Sequence, residues 1–96
     1  MPYEIRYHPL VPSEDLPALD ASAKQRIREA INRRLSTSPQ TFGKPLRRTL
    51  RGLWALRAGD YRVVYQIAGR QVRILRVGHR SEVYRFLAKR MRLPQG

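Results

Sequence analysis

The 96-residue chain contains no cysteine and only two histidines, His8 and His79. Disulfides and thiolate metal sites are therefore excluded. A protein-built zinc site normally needs three or four converging ligands, so we expect no bound metal and no cofactor. The chain also lacks the roughly 18 consecutive apolar residues of a membrane span and the apolar segment of a signal peptide. We therefore expect no membrane partner, no small-molecule cofactor and a cytoplasmic location.

Acidic residues are scarce, and their scarcity is uneven along the chain. Seven Asp and Glu stand against twenty Lys and Arg, which gives a net charge of +13. Residues 1–43 hold six basic and five acidic side chains, whereas residues 44–96 hold fourteen basic side chains and only Asp60 and Glu82. Arginine predominates, and its planar fork of donors suits phosphate groups. The charge pattern therefore favours a polyanion, above all a nucleic acid, as the partner of the second half.

The remaining composition is that of an ordinary globular protein. Hydrophobic residues make up 42% of the chain and charged residues 28%, far from the composition at which chains stay disordered. A chain of this length suffices for one hydrophobic core but is short for two. We therefore expect residues 1–96 to form a single domain.

Strand and helix patterns alternate in the first half. Tyr3, Ile5 and Tyr7 alternate with polar residues, which predicts a first strand ending at Pro9. A short helix over Pro12–Leu19 is possible. A clearer helix follows, with either Asp20 or Ser22 as its N-cap. Its helically spaced apolar residues are expected to cover one face of a sheet: Ala23, Ile27, Ala30, Ile31 and Leu35.

The second half contains a basic connector and three predicted strands. The connector, Ser36 to Pro45, is rich in Ser, Thr, Pro and Gly, and Leu46 to Arg51 extends it with Arg47, Arg48 and Arg51 but without clear periodicity. The strands are expected at Leu53–Arg57, Asp60–Ile67 and Gln71–Val77, with turns around Ala58-Gly59 and Ala68-Gly69-Arg70. A last helix, capped by Ser81, is expected to bury a stripe formed by Val83, Phe86, Leu87 and Met91.

Side-chain parity divides these strands into two faces. If Ala58-Gly59 forms the tip of the first turn, Arg57 lies opposite Asp60. One face then forms the core, with Trp54, Leu56, Tyr61, Val63, Tyr65, Ile67, Val72 and Ile74. The other face places three arginines on a half-apolar floor: Arg57, Arg62 and Arg73 with Ala55, Asp60, Val64, Gln66, Leu75 and Val77. Parity puts Arg76 awkwardly on the core side, which indicates a β-bulge near it.

Two motifs in the second half resemble those of a known family. Asp60-Tyr-Arg-Val-Val-Tyr-Gln-Ile67 and Val77-Gly-His-Arg-Ser-Glu-Val-Tyr84 stand in the order and spacing of the RelE/ParE superfamily of toxins from type II toxin–antitoxin modules. The resemblance is greatest to the RelE branch. It implies an α/β fold of the α+β type, with two N-terminal helices on one face of a small antiparallel sheet, a C-terminal helix, and the active surface on the other face.

The resemblance also implies an activity and its residues. RelE-type toxins are ribosome-dependent endoribonucleases in which the 2′-hydroxyl of messenger RNA attacks the adjacent phosphate without a metal. By motif position, Arg62 would stabilise the phosphate, Arg80 would assist the phosphate and leaving group, and Tyr84 would orient or activate the nucleophile. The expected partners are a cognate antitoxin protein, the ribosome and messenger RNA. Further RNA contacts are predicted for other basic residues: Lys44, Arg47, Arg48, Arg57 and Arg73.

One strand departs from the family pattern. Some RelE members carry two catalytic lysines there, and the corresponding residues are Leu53 and Ala55, which can neither move a proton nor stabilise a phosphate. Arg57 could substitute in part. The departure keeps two alternatives open: a ParE-like inhibitor of DNA gyrase without nuclease activity, or a degenerate homologue that only binds its antitoxin.

Overall fold

The computed structural model describes residues 2–85 and 87–92. Its strands form a five-stranded sheet in the order β1-β5-β4-β3-β2. The strands are β1 (Glu4–Tyr7), β2 (Lys44–Pro45), β3 (Leu53–Ala58), β4 (Tyr61–Ala68) and β5 (Gln71–His79). The α-helices are α1 (Ala21–Ala30), α2 (Pro39–Phe42) and α3 (Leu87–Arg92). This arrangement confirms the expected α+β class.

The sheet is antiparallel except at its first strand. Strand β1 runs parallel to β5, with Glu4 opposite Gln71 and Tyr7 opposite Ile74. The short strand β2 pairs with β3 within the segment that the sequence pattern left as a connector. A two-residue strand carries too few residues to show the alternation that identifies longer strands.

The N-terminal helical segments lie on one face of the sheet. The possible helix over Pro12–Leu19 is a single π-helical turn, Val11–Asp15, followed by turns. Helix α1 begins after Asp20, whose Oδ1 accepts a hydrogen bond from the Ala23 amide at 2.7 Å, so Asp20 is its cap. The helical path continues beyond α1 as wider turns through Ile31–Leu35.

The helix-covered face contains the larger apolar core. The predicted helix stripe packs against the predicted strand face, and both are buried: Ile27, Ile31 and Leu35 with Leu56, Val63, Tyr65, Val72 and Ile74. Tyr65 also donates a hydrogen bond from its hydroxyl to the Pro39 carbonyl at 2.6 Å, which fixes α2 against the core. The predicted stripe and strand face therefore meet as expected.

The first hairpin differs in register from the expectation, although its faces do not change. The loop consists of Gly59 and Asp60, and Arg57 lies opposite Arg62 rather than opposite Asp60. Gly59 has a φ of 63°, a left-handed conformation that favours glycine. Because the pairing shifts by an even number of residues, every side chain stays on its predicted face.

The expected bulge is present and corrects one assignment. Val64 pairs with Arg76 and Tyr65 with Ile74, so Leu75 is the extra residue of β5. The bulge turns Arg76 away from the main core, as its awkward parity indicated. It also places Val77 in the main core, so the assignment of Val77 to the arginine floor was wrong.

A second, smaller apolar cluster covers part of the other face of the sheet. It consists of Leu53, Val64, Leu75, Val83 and Leu87, flanked by Leu46 and Leu50. Residues 81–85 form turns rather than the start of the expected helix, and α3 begins at Leu87. Phe86, which was predicted in the helix stripe, lies outside the described residues. The C-terminal segment therefore lies on the face opposite α1.

Candidate functional site

The second face of the sheet is apolar in the middle and cationic at one end. Arg62 lies between Arg57 on β3 and Gly78 on β5, and directly paired residues of antiparallel strands present their side chains on the same face. Arg80 follows directly after β5. We call Arg57, Arg62 and Arg80 the arginine end of the sheet.

Arg62 is held by backbone carbonyls of its own hairpin. Its Nη1 donates to the Gly59 carbonyl at 3.0 Å and to the Tyr61 carbonyl at 2.9 Å. Within residues 2–85 and 87–92, neither Arg62 nor Arg57 forms an ion pair with a carboxylate. Both guanidinium groups are therefore available to an incoming anion. The hydrogen bonds to the neutral carbonyls keep the Arg62 side chain oriented.

Arg80 approaches the same hairpin loop from β5. Its backbone amide donates to the Asp60 carbonyl at 2.8 Å, and its Nε lies 3.8 Å from Asp60 Oδ1. The side chains of both residues are more than half exposed, and an ion pair this long and exposed is weak. Arg62 and Arg80 are thus both attached to the Gly59-Asp60 loop, which brings two of the predicted catalytic residues together.

Tyr84 lies in the turn segment beside this end of the sheet. Its neighbour Val83 is buried, and a Cβ on Gly78 would lie 3.6 Å from the Val83 side chain. Gly78 is the pairing partner of Arg62, so this contact keeps the start of the C-terminal segment next to the arginine end. Tyr84 itself is 38% exposed. Its side chain is therefore accessible to a ligand.

The basic connector presents its cations outward. Leu46 and Leu50 pack against the second apolar cluster, while Arg47 and Arg48 are exposed. Arg48 has a φ of 59°, which is unusual for a residue other than glycine. The anchoring leucines supply the reason why a segment without clear periodicity has a defined shape.

Lys44 has a position that the sequence pattern did not indicate. It is exposed on β2 and lies directly opposite Ala55, so its side chain is on the face that carries Arg57 and Arg62. Leu53 is fully buried in the second apolar cluster. Strand β3 lacks the family lysines, but the neighbouring strand β2 places a lysine on the same face.

Arg73 is separate from the arginine end. It pairs with Gln66 and with Arg6, and its Nε donates to Gln71 Oε1 at 3.3 Å. Gln66 is four residues along β4 from Arg62, a distance of roughly 13 Å at the usual rise of a strand. Arg73 therefore lies on the same face as Arg57 and Arg62, as expected, but at the opposite end of the sheet. A contact of Arg73 with RNA stays a prediction.

A second basic surface lies on the helix-covered side. A cleft of about 240 Å³ between α1 and the first hairpin is lined by four arginines and one glutamate: Arg26, Arg33, Arg34, Arg57 and Glu29. Arg26, Arg33 and Arg34 belong to the helical segments. Their proximity to the hairpin depends on how α1 packs on the sheet, which helical periodicity alone does not specify.

Two further properties concern the described part of the chain. Among those residues, no group of three or more His, Asp or Glu side chains is placed to hold a metal ion. No helix among them has the length and apolar character needed to cross a membrane.

Helices on one face of a five-stranded sheet and an arginine end on the other characterise this small basic α+β protein. The chain belongs to the RelE/ParE superfamily, since the model of the ParE toxin of the type II toxin-antitoxin system parDE matches residues 5–84. It is 39% identical over 87 residues to Toxin RelG of Mycobacterium tuberculosis (strain ATCC 25618 / H37Rv), covering 88% of this chain and 99% of that protein. Toxin RelE of the same strain is 47% identical over 53 residues, covering 53% of this chain and 55% of that protein.

Solved structures agree with this assignment. The crystal structure of the toxin–antitoxin complex RelBE2 from Mycobacterium tuberculosis contains a chain 38% identical to this one, with a TM-score of 0.78, covering 83% of this chain and all of that chain. A conserved hypothetical protein from Helicobacter pylori shares the fold, with a TM-score of 0.63 at 16% identity, covering 83% of this chain and 97% of that one. The chain is therefore a type II toxin by family, and its fold is the one that the two motifs predicted.

Proposed function

We propose that this toxin cleaves messenger RNA on the ribosome in the cytoplasm and is held inactive by a cognate antitoxin. The observation that carries the proposal is the arginine end of the sheet. Arg62 and Arg80 are both attached to the Gly59-Asp60 loop, and Arg57 lies directly opposite Arg62. The only carboxylate paired with these arginines within the described chain is Asp60, at 3.8 Å from Arg80. Such an arrangement suits the distributed negative charge of a phosphate in its transition state.

The proposed reaction uses the substrate's own nucleophile. The ribose 2′-oxygen forms a bond to phosphorus and loses its proton, while the bond from phosphorus to the 5′-oxygen breaks and that oxygen gains a proton. Arg62 stabilises the charge on the phosphate, Arg80 the phosphate and leaving group, and Tyr84 orients or activates the 2′-hydroxyl. Arginine and tyrosine exchange protons poorly near neutral pH, so most of the rate must come from alignment and electrostatics.

Lys44 and Arg57 compensate for the missing family lysines in this proposal. Residues directly opposite on an antiparallel pair have Cβ atoms about 5 Å apart, so the Lys44 ammonium group can reach the space beside Ala55. Arg57 is two residues further along β3, on the same face. Together they place two more cations next to Arg62. The exposed Arg47 and Arg48, and Arg73 at the far end of the sheet, would contact other phosphates.

The direct test maps messenger RNA ends after brief induction in cells. Wild type should produce cuts within translated frames, and Arg62→Ala should reduce their rate by about 100-fold, as the loss of one charge-stabilising group does in other enzymes. Arg28→Ala is the matched control, because it removes the same charge from an exposed position on α1. Equal cutting by Arg62→Ala and wild type would refute the assignment of Arg62.

An inhibitor of DNA gyrase is the second candidate, because the matching family model describes a ParE toxin. It requires no catalytic residues and is compatible with Leu53 and Ala55. The two functions separate in one comparison: intact transcripts, arrested growth and failed DNA supercoiling would establish gyrase inhibition. Intact transcripts with normal growth would instead indicate a homologue that only binds its antitoxin.

An acidic antitoxin is the proposed regulatory partner. The structural relative from Mycobacterium tuberculosis is part of a toxin–antitoxin complex, and the net charge of +13 favours an acidic protein that folds onto the basic face. Such an antitoxin could also displace α3. Mixing the toxin with the product of the neighbouring gene should give a complex at moderate salt. The absence of a complex would contradict this part of the proposal.

A further inference from the structure

The outer edge of β5 is closed in two different ways along its length. Strand β1 pairs with Gln71–Ile74 and goes no further. Beyond Ile74, two side chains replace the missing strand. Arg90 Nη1 donates to the Leu75 carbonyl at 2.9 Å, and Asp15 Oδ2 accepts from the Val77 amide at 2.9 Å. Backbone groups on both sides of the bulge are therefore satisfied by side chains.

Asp15 and Arg90 also bind each other. Arg90 Nη1 lies 2.8 Å from Asp15 Oδ2, and Nη2 lies 2.8 Å from Asp15 Oδ1, so the pair is bidentate. Their side chains are only 7% and 10% exposed. The hydrogen bonds that Arg90 donates to Asp15 raise the pKa of Arg90 above its ordinary value, so the guanidinium keeps its charge. Each group thus compensates the burial of the other. We call this pair the edge clamp.

The edge clamp joins three parts of the chain. Asp15 lies in the turn after β1, Leu75 and Val77 lie in β5, and Arg90 lies in α3. β5 leads into Arg80, and α3 follows the segment that contains Tyr84. A second contact supports the same segment, since Arg76 donates to the Arg85 carbonyl. The two elements on either side of the segment that contains Arg80 and Tyr84 are therefore tied together at this edge.

We propose that Asp15 and Arg90 are positioning residues of the RNA-cleavage site, because the edge clamp fixes the bulged end of β5 and α3 in one arrangement. Arg80 and Tyr84 are thereby held in register with Arg62, although neither clamp residue touches RNA. The inference rests on the proposed nuclease function. A pair that merely stabilised the fold could be lost without any change in the turnover of the molecules that remain folded.

The test uses Asp15→Asn, which keeps the size of the side chain and its acceptor for Val77 but removes the charge that binds Arg90. Cleavage of messenger RNA on purified ribosomes is measured together with far-ultraviolet circular dichroism, so that rates refer to folded protein. We expect kcat to fall about 10- to 100-fold with KM within about twofold, because small misplacements of catalytic groups have effects of this size. Hydrogen exchange at the Val77 amide should become faster, because its acceptor is no longer fixed by the ion pair with Arg90. Exchange at the Val63 amide should not change.

Two further variants make the result decisive. Glu4→Gln breaks the exposed ion pair between Glu4 and Arg6, whose atoms are 3.0 Å apart, and should leave kcat unchanged. Arg90→Lys keeps the charge but loses the bidentate fork, and it serves if Asp15→Asn does not fold. We expect a smaller loss of kcat for this variant.

The outcomes separate the two proposals. Folded clamp variants with the wild-type kcat would overturn the positioning role while leaving the nuclease function intact. A wild-type protein that leaves messenger RNA uncut under the same conditions would instead refute the nuclease function on which the inference rests.

Discussion

The two faces of the sheet differ in how much apolar and how much cationic surface they carry. The helix-covered face carries the larger apolar core, in which Ile27, Ile31 and Leu35 pack on the strands. The second face carries a smaller apolar cluster beside Arg57 and Arg62, neither of which forms an ion pair with a carboxylate among the residues that the structure describes. The two faces share the same strands, so their side chains alternate along each strand.

This difference explains how the sheet can keep Arg57 and Arg62 without carboxylate partners in the described part of the chain. Burial of apolar area supplies most of the folding free energy, and the larger core lies on the helix-covered face. The arginine end therefore need not contribute to stability, and its guanidinium groups can remain available for an anion. The comparison predicts that changes on the helix-covered face act mainly on folding.

The largest expected effect concerns Gly43, which lies against the helix-covered core. A Cβ at this position would lie 1.7 Å from the Tyr65 hydroxyl, which is fixed by its hydrogen bond to the Pro39 carbonyl. Gly43→Ala should lower the free energy of unfolding by about 3 kcal/mol or more, because the buried ring must move and the bond must break. Urea denaturation followed by Trp54 fluorescence measures the loss. Gly69→Asn is the control, since space is open there and asparagine tolerates its φ of 61°. Similar urea midpoints for both variants would contradict the packing.

The next effect compares one truncation on each face. Ile27→Ala should cost about 3 kcal/mol and Leu87→Ala about 2 kcal/mol, although both side chains are 1% exposed. The difference is expected because a short C-terminal segment can relax around a cavity more easily than a helix held between Asp20 and Leu35. Protection of backbone amides against hydrogen exchange should fall throughout the protein in Ile27→Ala. In Leu87→Ala it should fall only in the C-terminal segment. An equal global loss in both would remove the distinction between the faces.

The smallest expected effect is that of low pH on the free energy of unfolding. It concerns His8 and not the arginine end. His8 is buried, and burial together with the charge of Arg90 holds its pKa below the ordinary value of 6.5. Above pH 6.5 the His8 imidazole is neutral in both the folded and the unfolded protein, so the full free energy of unfolding is present there. As the pH falls below 6.5, the unfolded chain gains a proton that the folded state resists, and the free energy of unfolding decreases. Arginines do not titrate in this range.

Urea denaturation at about pH 7.5 and about pH 5.5 measures this decrease. His8→Gln should reduce it, because this variant lacks the buried imidazole whose pKa is lowered. A decrease of the same size in His8→Gln and wild type would show that another group is responsible.

Local patterns in the sequence predicted the strands, the main helix and the division of the faces. They succeeded because side-chain alternation survives an even shift in pairing, as the hairpin with Gly59 and Asp60 shows. The awkward parity of Arg76 even located the bulge. Arg62 and Arg80 could be connected because family motifs preserve their spacing around a single hairpin.

The remaining features depend on residues that are distant in the sequence. Asp15 and Arg90 are 75 positions apart, and neither belongs to a periodic pattern that indicates a partner. Lys44 lies on a strand too short to show alternation, so its position opposite Ala55 could not be predicted. The second apolar cluster draws leucines from the connector and from α3, and its existence depends on how both segments fold back on the sheet.

The parallel pairing of β1 with β5 has a consequence for synthesis of the protein. Glu4 pairs with Gln71, so the first strand waits for its partner until about three-quarters of the chain has been made. Proteins are made from the N-terminus, and contacts between distant residues form late in folding. Arg80 and the edge clamp come later still. Most of the chain is therefore synthesised before the surface that we propose to act on ribosomes can assemble.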